Sequence, residues 1–129
     1  MRALLIGCDA HTTLSIHLAL QLRWPEVTVA QEATRRKGLQ VLPDFAPSLV
    51  FVMTGPAPSD LDDLEFLQAA RTASPAALFA LSSQPNDTEL TATLAAGADA
   101  YLSLPINGPE LLAQTIAVLR RASGAIPMR

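Results

Sequence analysis

Short apolar runs that alternate with longer stretches of helical period limit this chain's fold more than any other feature. Ala3–Ile6, Val27–Ala30, Leu49–Met53, Ala77–Leu81 and Ala100–Leu104 each read as a strand. The third, Leu-Val-Phe-Val-Met, is apolar throughout, as expected of a strand covered on both faces. Amphipathic segments lie between the strands. Leu14, Leu18 and Leu22 share one helical face, as do Leu61, Leu64 and Gln68. Leu90 with Leu94, and Leu112 with Ile116 and Leu119, make two further faces. Asn86-Asp87 followed by Glu89 marks a helix start, and Gly97 stands where a C-terminal cap belongs. Pro109 suits the first turn of the last helix, and Arg120-Arg121 suits its negative end. In residues 31–46, Gly38 and Pro43 limit any helix to about two turns. Five strand-then-helix repeats imply an α/β fold, a parallel sheet doubly wound by right-handed crossovers.

With 129 residues the chain suits a single domain, expected over residues 1–122. Residues 123–129 carry no helical pattern and read as a tail or the start of a linker. Half the residues are apolar and 16% are charged, which fits a packed globule and not a disordered chain. The net charge of −3 lacks the electrostatic term that draws proteins to phosphate backbones, so direct nucleic-acid binding by this segment is not expected. Cys8 is the only cysteine, so no internal disulfide can form and a reducing compartment is the simpler reading. The apolar run at the start is too short for a signal peptide, and no stretch approaches the roughly 18 apolar residues of a membrane span. A cytoplasmic, non-membrane protein is the expectation.

Ala46–Met53, Asp62–Phe66, Ala77–Ser82 and Gly97–Pro105, spread over nearly the whole chain, resemble in that order the receiver domain of bacterial response regulators. Ala46-Pro47-Ser48-Leu49-Val50-Phe51-Val52-Met53 is similar to the family's third strand, which normally ends in the phosphoacceptor aspartate. Asp62-Asp63-Leu64-Glu65-Phe66 resembles the opening of its third helix, and Ala77–Ser82 its fourth strand with the terminal hydroxyl. Gly97-Ala98-Asp99-Ala100-Tyr101-Leu102-Ser103-Leu104-Pro105 resembles the Gly-Ala-Asp-Asp-Tyr-Leu-Thr-Lys-Pro signature. The resemblance implies a flavodoxin-like (βα)5 sandwich with a five-stranded parallel sheet in the order 2-1-3-4-5.

Receivers carry a phosphoryl group on an aspartate, with Mg²⁺ held by that aspartate and by an acidic pair after the first strand. A hard cation of this kind needs oxygen ligands. Here the acidic pair falls on Gly7 and Cys8, leaving Asp9 as the carboxylate nearby. The phosphoacceptor position falls on Met53, whose thioether neither accepts phosphoryl nor suits Mg²⁺. The phosphoryl-contacting lysine falls on Leu104, and the one lysine in the chain, Lys37, belongs to the second strand–helix segment. Losing these charges together is physically coherent, because either half left alone would be a poorly compensated cluster. The loop Met53–Asp60 also reads as about two residues longer than the family's usual length. Ser82 and Tyr101 occupy the family's switch-pair positions, and without the acceptor their retention reads as packing and descent. The expected degenerate pocket is therefore Gly7, Cys8, Asp9, Met53, Ser82 and Leu104, with no catalytic residue, metal or cofactor.

Other residues have plainer readings. Asp9 and His11 fit the spacing of an Asp-x-His-x-x-Gly cobalamin motif, but Leu14 holds the glycine position; a polar turn capped by Asp9 or Thr12 is the better reading. His17 reads as a surface helix residue, Cys8 as a buried, inert thiol and Arg35-Arg36-Lys37 as a solvated patch. Together these residues imply a phosphorylation-independent pseudo-receiver, a regulatory protein-interaction module and not an enzyme. Its expected working surface is the fourth helix, fifth strand and fifth helix, carrying Asp99, Tyr101 and Arg120, with homodimerisation there as one form of the contact. An alternative is small-molecule binding in an apolar pocket at the carboxyl edge of the sheet.

Overall fold

A computed structural model describes residues 1–55 and 60–122. The elements run β1 (Arg2–Ile6), α1 (Ala10–Gln21), β2 (Thr28–Glu32), α2 (Arg35–Phe45), β3 (Leu49–Met53), α3 (Asp63–Ala73), β4 (Ala77–Ser82), α4 (Asp87–Ala96), β5 (Ala100–Ser103) and α5 (Gly108–Ala122). All neighbouring strands are parallel, in the order β2-β1-β3-β4-β5. This is the flavodoxin-like arrangement expected from the sequence.

Alternation along the three central strands divides the core in two, because successive side chains leave a strand on opposite faces. Ala3, Leu5, Leu49, Phe51, Phe79 and Leu81 join Ile16 and Leu20 of α1 and Leu111 and Val118 of α5. Leu4, Ile6, Val50, Val52, Leu78 and Ala80 meet Leu42, Phe66, Leu67 and Ala96 from α2, α3 and α4. Phe51 and Phe79, paired across β3 and β4, stack with centroids 4.7 Å apart and centre the first layer. The sheet thus carries α1 and α5 on one face and α2, α3 and α4 on the other.

Local signals set most element ends. Asp9, Asp62 and Asn86 cap α1, α3 and α4 by accepting from first-turn amides, and Gly97 ends α4 at φ 129°, a left-handed value that favours glycine. Three strands differ from expectation by one residue at one end, and two elements differ by more. The second strand runs to Glu32 because an edge strand needs backbone pairing with β1 more than apolar side chains; its ladder continues to a Gly7 N–H bond to Glu32 O at 2.9 Å. The second helix spans 11 residues, more than the two turns expected, and includes Pro43. Proline there removes one amide in the last turn, and Ala46 closes the helix in a left-handed conformation with its N–H on Leu42 O. Gly38 lets the helix approach β1, since a Cβ there would lie 2.4 Å from Ile6 Cδ1.

The leucine stripes locate the helices but not their buried faces. In α1 the buried residues are Thr12, Thr13, Ile16, Ala19 and Leu20, whereas Leu14, Leu18 and Leu22 are 56%, 55% and 77% exposed. At about 100° per residue the stripe lies nearly opposite the buried set. Apolar residues surround α1, so periodicity cannot choose a face, and close packing on the sheet selects the side with threonine and alanine. The other stripes lie closer to the core, with Leu61, Leu64 and Leu119 partly buried against it, while full burial falls on Phe66, Leu67 and Ala70 in α3, Thr93 and Ala96 in α4, and Leu111, Thr115 and Val118 in α5.

Candidate functional site

The carboxyl ends of β1, β3 and β4 meet where the fold would place a ligand. Gly7 follows β1 directly beside Met53, close enough that a Cβ on it would touch Met53 Cβ at 3.6 Å. Cys8, Met53 and Leu104 are partly buried and pack against the core layer of Phe51 and Phe79. Leu104 N–H bonds Ser82 O at 2.8 Å, which brings the loop after β5 to the end of β4. Gly7, Cys8, Met53, Ser82 and Leu104 therefore share this edge. The carboxylate of Asp9 turns away from it, exposed, and accepts from Thr12 N–H at 2.7 Å as the cap of α1. That bond holds the Asp9 carboxyl below its ordinary range. Burial first, and the Asp9 charge second, push the Cys8 thiol up to about 12, so it is not a thiolate at neutral pH.

The residues do not fit Mg²⁺. They offer a backbone glycine, a protonated thiol and a thioether where the ion needs hard oxygen ligands. Among the described residues no group of three or more His, Cys, Asp and Glu is placed to hold a metal. Cys8, Met53 and Leu104 pack against the core layer, and nothing in this arrangement supports small-molecule binding here.

One charged group does reach this edge, from the tripeptide read as a solvated patch. Arg35 is buried, 7% exposed, at the start of α2. Its guanidinium donates to Met53 O at 2.8 Å and to Leu61 O, and pairs with the Asp63 carboxylate. Asp63 Oδ1 is enclosed and faces this guanidinium, while Oδ2 accepts from Gly55 N–H at 3.1 Å. Burial pushes the Asp63 carboxyl up from its ordinary value, against the Gly55 amide and the Arg35 charge, which hold it down. Arg36 bonds the loop as well, through Nε to Asp60 O at 2.9 Å. Arg36 and Lys37 conform to the solvated reading, both exposed, with the Lys37 amide on the Thr34 cap. A signal was present in the sequence: three cations in the first turn of a helix oppose its dipole and imply compensating partners. Residues 56–59 of the loop between β3 and α3, where the added length was expected, lie outside the described residues, as does the tail from 123.

The switch-pair positions are tied together. Tyr101 donates its hydroxyl to the Glu89 carboxylate in α4 and accepts from Asn86 N–H at 3.3 Å, while buried Ser82 accepts from Gln84 N–H. Burial and the bond to Glu89 push the Tyr101 hydroxyl up. Asp99 is committed internally, accepting from Arg71 Nη1 at 3.0 Å and Leu78 N–H at 2.8 Å, and Arg120 is exposed in the last turn of α5.

No family model matches the sequence. The cell cycle transcriptional regulator CtrA of Caulobacter vibrioides is 31% identical over 124 residues, 96% of this chain and 52% of that protein. A two-component response regulator from Clostridium difficile superposes with a TM-score of 0.81 at 20% identity, covering 94% of this chain and 97% of the other. The chain has the fold of response-regulator receiver domains. An atypical orphan response regulator, described as having a phosphorylation-independent regulatory mechanism, shares the receiver fold with a TM-score of 0.74 at 22% identity, covering 93% of this chain and 96% of its own. The chain spans about half the length of the curated relative it matches. No helix among the described residues is long and apolar enough to cross a membrane.

Proposed function

We propose that this receiver domain signals without phosphorylation, as a regulatory module that acts through protein contacts and catalyses nothing. The observation that carries the reading is the replacement of every charge the phosphoryl chemistry requires. Gly7, Cys8, Met53 and Leu104 hold those positions, and the three side chains pack against the core. The remaining charge at the edge, Arg35, is spent on Asp63 and two carbonyls, and so holds the junction of β3 and α3 in one arrangement without an added phosphoryl group. Tyr101 and Ser82 are likewise held by α4 and its approach, and not by a modification.

Contacts with an effector or partner protein run through α4, β5 and α5, where Tyr101 and Arg120 lie. Similarity to half of a transcriptional regulator supports the role of regulatory domain in a cytoplasmic transcription factor. Any DNA contacts in such a protein would lie outside this domain, whose net charge is −3. Incubation with acetyl phosphate and Mg²⁺ followed by intact-mass measurement tests the reading. An unchanged mass is expected, and a stoichiometric gain of one phosphoryl group overturns it.

A further inference from the structure

Any apolar residue would exclude phosphoryl chemistry at position 53, as Leu104 does at its own position, yet the residue there is a methionine. It is the one methionine inside an element of the described fold: Met1 precedes β1, and Met128 lies in the tail outside the described residues. A thioether differs from a leucine side chain in one chemical respect that matters here. It takes an oxygen atom from a two-electron oxidant and turns polar. The fold leaves the sulfur's residue within reach. Met53 ends β3 only partly buried, and Gly7, exposed beside it, has no side chain to cover it. Cys8, the other sulfur at this edge, keeps its proton at neutral pH and is the poorer nucleophile, whereas a thioether has no proton to lose. The backbone around residue 53 is tied to its neighbours. Met53 O accepts from Arg35, and Thr54 donates to Leu81 O through its amide at 2.8 Å and its hydroxyl at 2.9 Å. Met53 also pairs with Leu81 in the sheet, and buried Ser82 follows directly. A change at Met53 therefore bears on the end of β4.

We infer that Met53 is an oxidation site, at which hydrogen peroxide gives this domain an input that phosphoryl transfer cannot. This rests on the phosphorylation-independent reading above. A sulfur lone pair attacks one peroxide oxygen, the O–O bond breaks as the S–O bond forms, and the other oxygen leaves as water after proton transfer. Sulfur loses two electrons and the peroxide gains them. In the sulfoxide the new oxygen stands as many bonds from Cα as the phosphorus of an aspartyl phosphate, and it accepts hydrogen bonds. Against the apolar layer of Phe51 and Phe79 it has no donor, and a buried acceptor left unpaired is costly. The Ser82 hydroxyl, at the end of the paired strand, supplies one. Turned towards the sulfoxide, it gives up Gln84 N–H, and the turn that presents Asn86 N–H to Tyr101 loosens.

Treating the 129-residue chain with hydrogen peroxide, quenching with catalase and mapping its peptides by mass tests this, with Met53→Leu as the paired variant. Met53 should gain one oxygen at no less than about a tenth of its rate in urea. Hydrogen–deuterium exchange on the oxidised chain should quicken at least about fivefold at the amides of Gln84 and Asn86. It should stay unchanged at those of Leu78 and Asp99, which bond each other's residue at the opposite edge of the sheet. Met53→Leu keeps the apolar bulk, so peroxide should leave its exchange as it was. Met53 left as a thioether while Met1, 38% exposed, is oxidised overturns the inference. So does a sulfoxide that leaves Gln84 and Asn86 unchanged, or a response that persists in Met53→Leu. Exchange that quickens throughout the chain, as general oxidative damage would give, overturns it too. The two readings fail separately: a phosphoryl group gained from acetyl phosphate defeats the earlier one, and a lack of oxygen on Met53 defeats this one.

Discussion

Replacing Arg35 by alanine removes the guanidinium that ties three segments together, and its cost can be worked from the contacts. The change leaves the Asp63 carboxylate without its ion partner and takes one donor from each of the carbonyls of Met53 and Leu61. Breaking a buried pair on one side costs about 3–5 kcal/mol, because an uncompensated charge stays behind. The Asp63 side chain is 20% exposed, which lets water offset part of the loss, so we expect about 3 kcal/mol. The cost depends on pH with a definite sign. Burial already raises the Asp63 carboxyl, so in the wild type its ionisation works against folding as pH rises through its range. Removing Arg35 takes away a contribution that holds it down and raises it further. The gap between wild type and variant should therefore be full at neutral pH and shrink as acid protonates Asp63. Urea denaturation followed by circular dichroism, at neutral pH and again below the ordinary carboxylate range, measures both. A loss under about 1 kcal/mol at neutral pH, the scale of an exposed pair, would refute the reasoning. A loss that grows in acid would also refute it.

Gly38→Ala should destabilise by about 1–3 kcal/mol through overpacking against Ile6. Ile6→Val in the same molecule should recover part of this in a thermal-melt mutant cycle, since it deletes the nearest clashing atom. Native Cys8 should react with iodoacetamide at least about tenfold more slowly than in urea, since its thiol is pushed up to about 12; equal rates would contradict its burial. Tyr101→Phe removes the hydroxyl that meets Glu89 and Asn86, so about 1 kcal/mol of stability should go. Amide exchange should quicken at the start of α4 and not in β1.

The chain's local signals were enough for the kind of fold, and the resemblance marked the positions where the family's charges would stand. The apolar runs and helical periods set out the alternation, and Asp9, Asn86 and Gly97 marked ends that the structure keeps. The absence of a carboxylate at position 53 and of a lysine at 104 is a matter of residue identity and needs no coordinates. Which side of α1 faces the sheet was decided only by packing, because apolar residues all round a helix leave periodicity with nothing to choose between. The partner of Arg35 was equally illegible: Asp63 lies on another helix, and its carboxylate meets the guanidinium only after α2 and α3 dock side by side. Short-range preferences are written residue by residue, whereas the match of a ridge to a surface, or of a charge to its counterion, exists only once distant segments share a place.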